Sequence, residues 1–489
     1  MFLELVILLI SLVSFLHYSK RWSLPPGPFS LPLIGCPEFL WKGSKGPVIF
    51  DTKYQKYGEW YTVTMLTGRN IVILNDYQLN KDLFSRDEFS GRLKTWFNAN
   101  VRGAHGQTKG ILTNDGQDWV IQRRFALKQL RDLGFGKKAL DEFMVEEADG
   151  VIDRMLSNPN GIVKMEAIFN VAVVNVLWQM IASKKFDPNA EETKEVMGML
   201  DRLFIMGNPA AGGSSRFYVL FKGIFSKLMK MPKSVAETTV LALKDYMRNL
   251  INEHESDIDF DNPRDFIDVY LKQIKEDPEH FDIEELIALC FDFFAAGSET
   301  TSTSLLWGVL YMSINPNVQE KCRLEIDDQL GSKSPSIEDM SRMPYVMATL
   351  LELQRISEVA MGSLPHVLLK DVEVKGYKFK KGTIFASNLH KLLMDPVEFP
   401  EPQKFKPERF LSQDGQSLKR NNYLVPFGIG KRICMGEALA KNEMFVFFVR
   451  ILQRLNISTV ANEIPDPAKF TNRVTRVPDP FFVKVTTRT

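Results

Sequence analysis

Phe427-Gly428-Ile429-Gly430-Lys431-Arg432-Ile433-Cys434-Met435-Gly436 decides how this chain is read. Its glycines let backbone adopt turns barred to other residues and pass close to a bulky flat group. Backbone amides turned toward the Cys434 sulfur would favour its thiolate, as would the nearby Arg432. A helix beginning just after Met435 would add its positive N-terminal end. Gly428-Ile429-Gly430 lacks the third glycine of a GxGxxG loop, and no strand–helix unit is predicted around it, so a dinucleotide site is excluded there.

The chain has 489 residues, 45% of them hydrophobic and 25% charged, an ordinary globular composition. Length alone suggests about three domains, but no composition break follows the first 35 residues, so one domain over 36–489 is expected. A formal charge of +1 excludes a strongly basic nucleic-acid binder. The four cysteines, Cys36, Cys290, Cys322 and Cys434, show no CxxC spacing, and the six histidines show no HExxH. So few cysteines in so long a chain suggest a reducing compartment.

Phe2 to Phe15 is almost wholly apolar, and Lys20-Arg21 comes soon after. Residues 1–18 are expected to form a transmembrane anchor, although the run is marginal against the ~20 residues a span needs. A cleaved signal peptide is the alternative; the bulky Leu16-His17-Tyr18 lacks the small-residue cleavage pattern. The basic pair favours a cytosolic position for the domain C-terminal to it. Residues 19–35 read as a basic, Pro-rich linker, in which Leu24-Pro25-Pro26-Gly27-Pro28 forces a stiff, extended path.

The rest reads as mainly α with a smaller β region. Trp60–Leu74 predicts two strands around a Thr67-Gly68-Arg69-Asn70 turn, and Val372–Phe385 a second hairpin with turns near Gly376 and Gly382. Helical spacing runs through 118–133, 137–156, 163–183, 192–206, 235–255 and 316–330. The longest pattern, Ile283–Ile314, would reach nearly ~50 Å. At its centre, Ala295-Ala296-Gly297-Ser298-Glu299-Thr300-Thr301 interrupts an apolar core helix with small residues, an acid and hydroxyls. A glycine there costs ~1 kcal/mol, which suggests that something approaches the backbone closely. Asn208–Met231 suits either an amphipathic segment on a membrane or a loop plus a core-facing helix.

The decapeptide matches the FxxGxRxCxG haem-binding signature of the cytochrome P450 superfamily at Phe427, Gly430, Arg432, Cys434 and Gly436. The resemblance runs from the Pro-rich segment to the C-terminus. It looks most like the microsomal clan-2 group, through Leu24-Pro25-Pro26-Gly27-Pro28, the 295–303 stretch and Leu364-Pro365-His366. It implies the cytochrome P450 fold, a large helical domain with a long central helix and a small β-sheet subdomain. It implies haem b (iron-protoporphyrin IX) with Cys434 as axial ligand, where a thiolate favours O–O cleavage.

Further residues take roles by the same resemblance. Thr300 would hydrogen-bond bound dioxygen or its water, and Glu299 would help deliver protons. Glu352 and Arg355, an ExxR pair on one helix face, would form a buried structural network with Arg409. Trp119, Arg123, Arg432, His366 and Arg92 would meet the haem propionates, with Phe427, Gly428 and Gly436 packing near the haem; His366 suits an ordinary core histidine as well. Trp96, Phe97, Phe204, Phe291, Phe294, Ala295, Val359, Leu364 and Val474 would line an apolar substrate pocket. No charged pocket residue points to an acid or an amine.

Electrons must come from outside, since the chain carries no flavin or nicotinamide domain. Arg124, Lys128, Arg131, Lys137 and Lys138 would offer an acidic partner a docking face. The resemblance implies NADPH–cytochrome P450 reductase, with cytochrome b5 as an optional second donor, at the cytosolic face of the endoplasmic reticulum. The expected function is insertion of one oxygen atom of O2 into a lipophilic steroid, fatty acid, terpenoid or xenobiotic. A haem-thiolate isomerase or dehydratase of peroxides, or a non-catalytic haem or lipid carrier, would not need Glu299 and Thr300.

Overall fold

The computed structural model describes residues 4, 8, 11–12, 14–16, 18–19, 21, 23–32, 35–37, 56–65, 69–134, 138–206, 234–461 and 463–488. Ile283–Ile314 is one helix of 32 residues, with the bounds its pattern predicts. Asp282 caps it, accepting from the Glu285 N–H at 2.7 Å. Pro316 opens the next helix, Pro316–Gln329, immediately after the Asn315 cap. The long helix is buried nearly all round, as a helix through the middle of a large core must be. In its interior, Ala296, Gly297, Thr300 and Ser304 break that burial. Around it pack helices Asn170–Ala182, Val235–Asp257, Pro344–Ser357 and Glu437–Arg454.

Among the described residues the β region has four small sheets. Strands β1 (Trp60–Thr64) and β2 (Asn70–Leu74) pair antiparallel from Trp60↔Leu74 to Thr64↔Asn70, so Asn70 belongs to the strand rather than the turn. Thr67 and Gly68 of that turn lie outside the described residues. Predicted helix 163–183 divides in two. Ile162–Met165 is a strand, β3, whose alternate residues Val163 and Met165 are buried; the helix starts only at Asn170. The alternation of period two at 162–165 outweighs the helical spacing after it.

The predicted 372–385 hairpin also divides. With β4 at His366–Val367, strands β5 (Val372–Val374) and β6 (Tyr377–Phe379) form the hairpin. Its turn, Lys375-Gly376, has φ of 49° and 80°, the left-handed pair that a two-residue hairpin turn needs. Beyond the Gly382 turn, β7 (Ile384–Ser387) leaves to lie parallel to β2 and antiparallel to β4. Near the C-terminus come β8 (Leu455–Thr459), the β9–β10 hairpin (Phe470–Asn472, Arg476–Pro478) and β11 (Phe481–Thr487); β11 sits between β3 and β8. The other predicted helices appear at Gly116–Leu133, Lys138–Leu156, Glu191–Met206 and Val235–Asp257. Lys137 and the whole of 208–231 lie outside the described residues.

No helix among the described residues is long and apolar enough to cross a membrane. In the first eighteen residues those described are helical, with Leu8, Leu12, Phe15 and Leu16 exposed. The Pro-rich segment is docked rather than free. Arg21 donates to Pro28 O at 3.0 Å and Thr62 O at 2.8 Å, and the Thr62 N–H donates to Pro26 O at 2.9 Å. A Cβ on Gly27 would stand 2.0 Å from Thr62 O.

Trp307 ties the central helix to the C-terminal strands. It is 1% exposed, and its indole N–H donates to Arg476 O at 2.9 Å. Trp307→Ala should therefore cost about 3–5 kcal/mol, measured as a lower midpoint in thermal unfolding followed by circular dichroism.

Candidate active site: cysteine loop, basic cradle and central helix

The cysteine loop is shaped by its own backbone. Gly428 N donates to Val425 O, Ile433 N to Gly430 O and Cys434 N to Phe427 O, each at 3.0 Å. Gly430, at φ 81°, could carry no side chain, because a Cβ there would meet Phe84 O at 2.2 Å. Gly436 caps helix Glu437–Arg454, so the sulfur sits just ahead of a helix N-terminus. The Gly436 N–H donates to Cys434.

Cys434 is exposed, yet the protein around it raises the thiol above its ordinary range; the Gly436 N–H and Arg123 pull the other way. The cation beside the sulfur is thus Arg123, not the expected Arg432. Arg123 also donates to Ile433 O at 2.5 Å. Arg432 lies over the Trp119 ring at 3.6 Å and donates to Ser90 O, Ile111 O and Asn114 O at 2.8, 3.0 and 2.7 Å.

Five predicted residues converge here. Arg92 donates to Leu112 O at 3.2 Å and Pro365 O at 3.1 Å. His366 lies flat on Phe84 with ring centroids 3.9 Å apart, and its Nδ1 meets Phe89 O at 2.8 Å. Burial, then the Arg123 guanidinium, pushes Arg92 down to about 10; burial, then Arg92 and Arg123, pushes Arg432 down to about 8. Burial and the two arginines push His366 down to about 3. Asp115 is the anion that offsets Arg92 and Arg432, and it also pairs with Lys94 at 2.8 Å. The Trp119 indole N–H is buried without a partner. Buried cations require anions, and an orphaned buried donor requires an acceptor. This donor set fits a flat dianionic group such as haem with its two propionates.

Thr300 shares one face of the central helix with Ala296 and Ser304, and its hydroxyl donates to Ala296 O at 2.9 Å. Its neighbour Glu299 is nearly buried and accepts from the Thr475 hydroxyl. Burial raises its carboxyl to about 7, against the pull of Thr475 and Arg473. Thr475, whose importance sequence reasoning missed, is the residue that orients this acid. Glu443, on the last helix, is also buried; its carboxyl touches the Thr301 hydroxyl and is pushed well above its ordinary range by burial.

The structure brings Glu352, Arg355 and Arg409 together. Arg355 forks onto Glu352 at 2.7 and 2.8 Å and donates to Leu393 O and Pro402 O. Arg409 and the Lys406 N–H add bonds to Glu352 at 3.0 and 2.9 Å.

The expected pocket residues are less uniform. Phe291, Ala295 and Phe204 are buried, Phe97 and Val359 half-buried, and Trp96, Leu364 and Val474 exposed. The Arg476 N–H bonds Val359 O at 3.0 Å, which joins the 359 and 474 segments. Phe294 packs into the helix interior against Trp178, with centroids 4.7 Å apart. Beside Phe291, Arg102 lies 5.0 Å over the ring and pairs with Asp292.

A thiol loop, a buried basic cradle and a hydroxyl-bearing core helix define a haem-thiolate class of protein. Comparison agrees. The cytochrome P450 family model matches residues 25–485. Human cytochrome P450 2C8 is 34% identical over 90% of this chain and 89% of its own. Cytochrome P450 2E1 of Oryctolagus cuniculus is 32% identical over 94% and 91%. The farnesoate epoxidase of Bombyx mori is 31% identical over 90% and 89%. The chain belongs to the cytochrome P450 family, on the microsomal side of it, and is a monooxygenase that uses haem and O2.

Arg355→Ala leaves Glu352 charged and buried beside a single remaining arginine. Stability should fall by about 3–5 kcal/mol, read as a lower denaturant midpoint; Arg355→Lys, which cannot fork, should recover only part of it.

Proposed function

We propose that this monooxygenase is anchored in the endoplasmic reticulum membrane by residues 1–18, faces the cytosol, and oxidises a lipophilic small molecule with electrons from NADPH through NADPH–cytochrome P450 reductase. The observation that carries the catalytic reading is the Glu299–Thr300 pair: an exposed hydroxyl on the central helix beside a carboxyl whose proton is in play near pH 7.

Bound haem supplies oxygen activation at a thiolate-ligated iron. Cys434 holds the iron, with Arg123 and the Gly436 N–H favouring the thiolate. Arg92, Arg123, Arg432 and the Trp119 N–H hold the propionates. His366 joins them once protonated, because its Nδ1–H serves Phe89 O and a neutral ring has no second proton. Phe427, Gly428 and Gly436 would pack against bound haem. Thr300 would offer its hydroxyl to O2 or a water beside it, and Glu299, positioned by Thr475, would hold and pass a proton. Glu352, Arg355 and Arg409 keep the fold around the loop and touch no reactant.

Arg124, Lys128 and Arg131 are exposed on the helix that carries Arg123, which supports docking of an acidic electron donor there, reductase first and cytochrome b5 as a second. The docked linker supports a fixed exit from the membrane. The relative named for farnesoate supports a terpenoid or fatty acid among the candidate substrates.

Reconstitution with reductase tests this. NADPH consumption with product formation is expected from a lipophilic panel, and Cys434→Ala should abolish both together with the thiolate-type spectrum of the reduced CO complex. Turnover of a peroxide substrate that ignores NADPH would overturn the reading.

The pH dependence of coupling isolates Glu299. Its proton is present below about 7 and lost above, so coupled product formation should decline as pH rises through that value. Glu299→Gln has no proton to give; it should flatten the profile and lower coupled rate about 10²-fold, with the electrons recovered as hydrogen peroxide.

A further inference from the structure

Helix Pro344–Ser357 ends on Glu358, which stands at φ 46° and ψ 45°. That left-handed position is usually given to glycine, because a side chain there is strained. Glu358 is 2% exposed, and both of its carboxylate oxygens are used. His390 Nδ1 meets Oε1, and the Arg476 guanidinium donates to Oε2. A buried carboxylate with two partners, kept at a strained backbone position, exceeds what ending a helix requires.

The same two partners hold the chain that follows. The Arg476 N–H donates to Val359 O at 3.0 Å, and the His390 N–H to Met361 O at 2.9 Å. Arg476 is fixed in turn: its carbonyl accepts the Trp307 indole N–H, and its guanidinium lies over the Phe470 ring at 3.9 Å. His390 belongs to the short helix Leu389–Leu393, whose last carbonyl accepts from Arg355 at 3.0 Å. Further along, the Ser363 N–H donates to Ser387 O at 3.1 Å, and the Ser363 hydroxyl accepts the Ser387 N–H at 2.8 Å. The Arg92 guanidinium then reaches Pro365 O at 3.1 Å. Residues 359–365 are thus fastened at intervals, and Glu358 joins the two fastenings nearest the helix. Between them Val359 and Ala360 stay half-buried and Leu364 exposed.

We propose that Glu358 is a positioning residue that determines specificity. By joining Arg476 and His390 it fixes where the apolar wall Val359–Leu364 stands, and so which part of a lipophilic molecule reaches the oxidising centre. This rests on the reading of that wall as part of the substrate pocket; Glu358 itself touches no substrate. Two charge-assisted bonds from separate elements to one carboxylate hold a spacing that neither backbone bond holds alone. A displacement of about 1 Å at such a wall is enough to change how a substrate is presented.

The test uses haem-loaded protein and two azole probes, imidazole and 4-phenylimidazole, titrated by the shift of the haem absorption band. Imidazole reports access to the iron; the phenyl group also meets the pocket wall. Glu358→Gly accepts the left-handed backbone without strain. It should leave imidazole affinity within about twofold and change 4-phenylimidazole affinity by about tenfold or more. Glu358→Asp keeps the charge and tolerates the same backbone, and should recover part of the wild-type ratio. Should Glu358→Gly load haem poorly, His390→Gln, which removes one partner, decides by the same ratio. A ratio unchanged from wild type, or equal loss for both probes, overturns the proposal and leaves Glu358 as a helix terminator. With reductase, NADPH and any substrate that turns over, the ratio of oxidation products should shift alongside the azole ratio. A shifted azole ratio in a protein that makes no NADPH-dependent product would sink the reductase-driven reading and leave this one standing.

Discussion

The backbone of residues 110–115 is hydrogen-bonded on both of its edges. On one, the N–H groups of Gly110, Ile111 and Leu112 go to Glu285 and Asp292 of the central helix. On the other, the carbonyls of Ile111, Leu112 and Asn114 receive the guanidinium groups of Arg432 and Arg92. A loop whose polar groups are satisfied in both directions is rigid. It transmits the position of the central helix to the arginines, and through Arg432 to the Trp119 indole and the cysteine loop. Gly110, at φ 79°, is required there, since a Cβ would press on Asp292 at 2.5 Å.

The cradle concentrates cationic groups that their protein partners satisfy only in part. Arg92, Arg432 and His366 are all pushed down by burial and by neighbouring arginines. The Glu352–Arg355–Arg409 network is the opposite case: its carboxylate accepts four hydrogen bonds, and its two guanidiniums spend further donors on backbone carbonyls. The first arrangement fits a site awaiting an anion; the second fits permanent structure. Both rest on Arg, whose fork reaches several carbonyls at once.

Much of this is legible in the sequence because strong local patterns agree with the fold. The central helix is readable to the residue, since its cap, its apolar run and Pro316 all mark the same bounds. The cysteine loop is readable from glycine spacing. Residues 163–183 mislead because four residues of strand alternation lie beside a longer helical pattern, and only pairing with β11 decides between them. Thr475 and Arg102 are invisible for another reason. Their partners, Glu299 and Asp292, are about 180 and 190 residues away, and no local spacing encodes such contacts. Phe294 looks like a pocket aromatic because a helix rotation of one residue separates the open face from the packed one.

Gly430 and Phe84 stand near opposite ends of the chain, and their contact leaves no room for a methyl group. Closing a loop of that size is entropically slow. The surroundings of the cysteine therefore become complete only after the first sheet, the Tyr77–Phe84 helix and the last fifth of the chain have met. A substitution that displaces Phe84 is therefore felt at the cysteine loop, although Phe84 lies about 350 residues away in the chain.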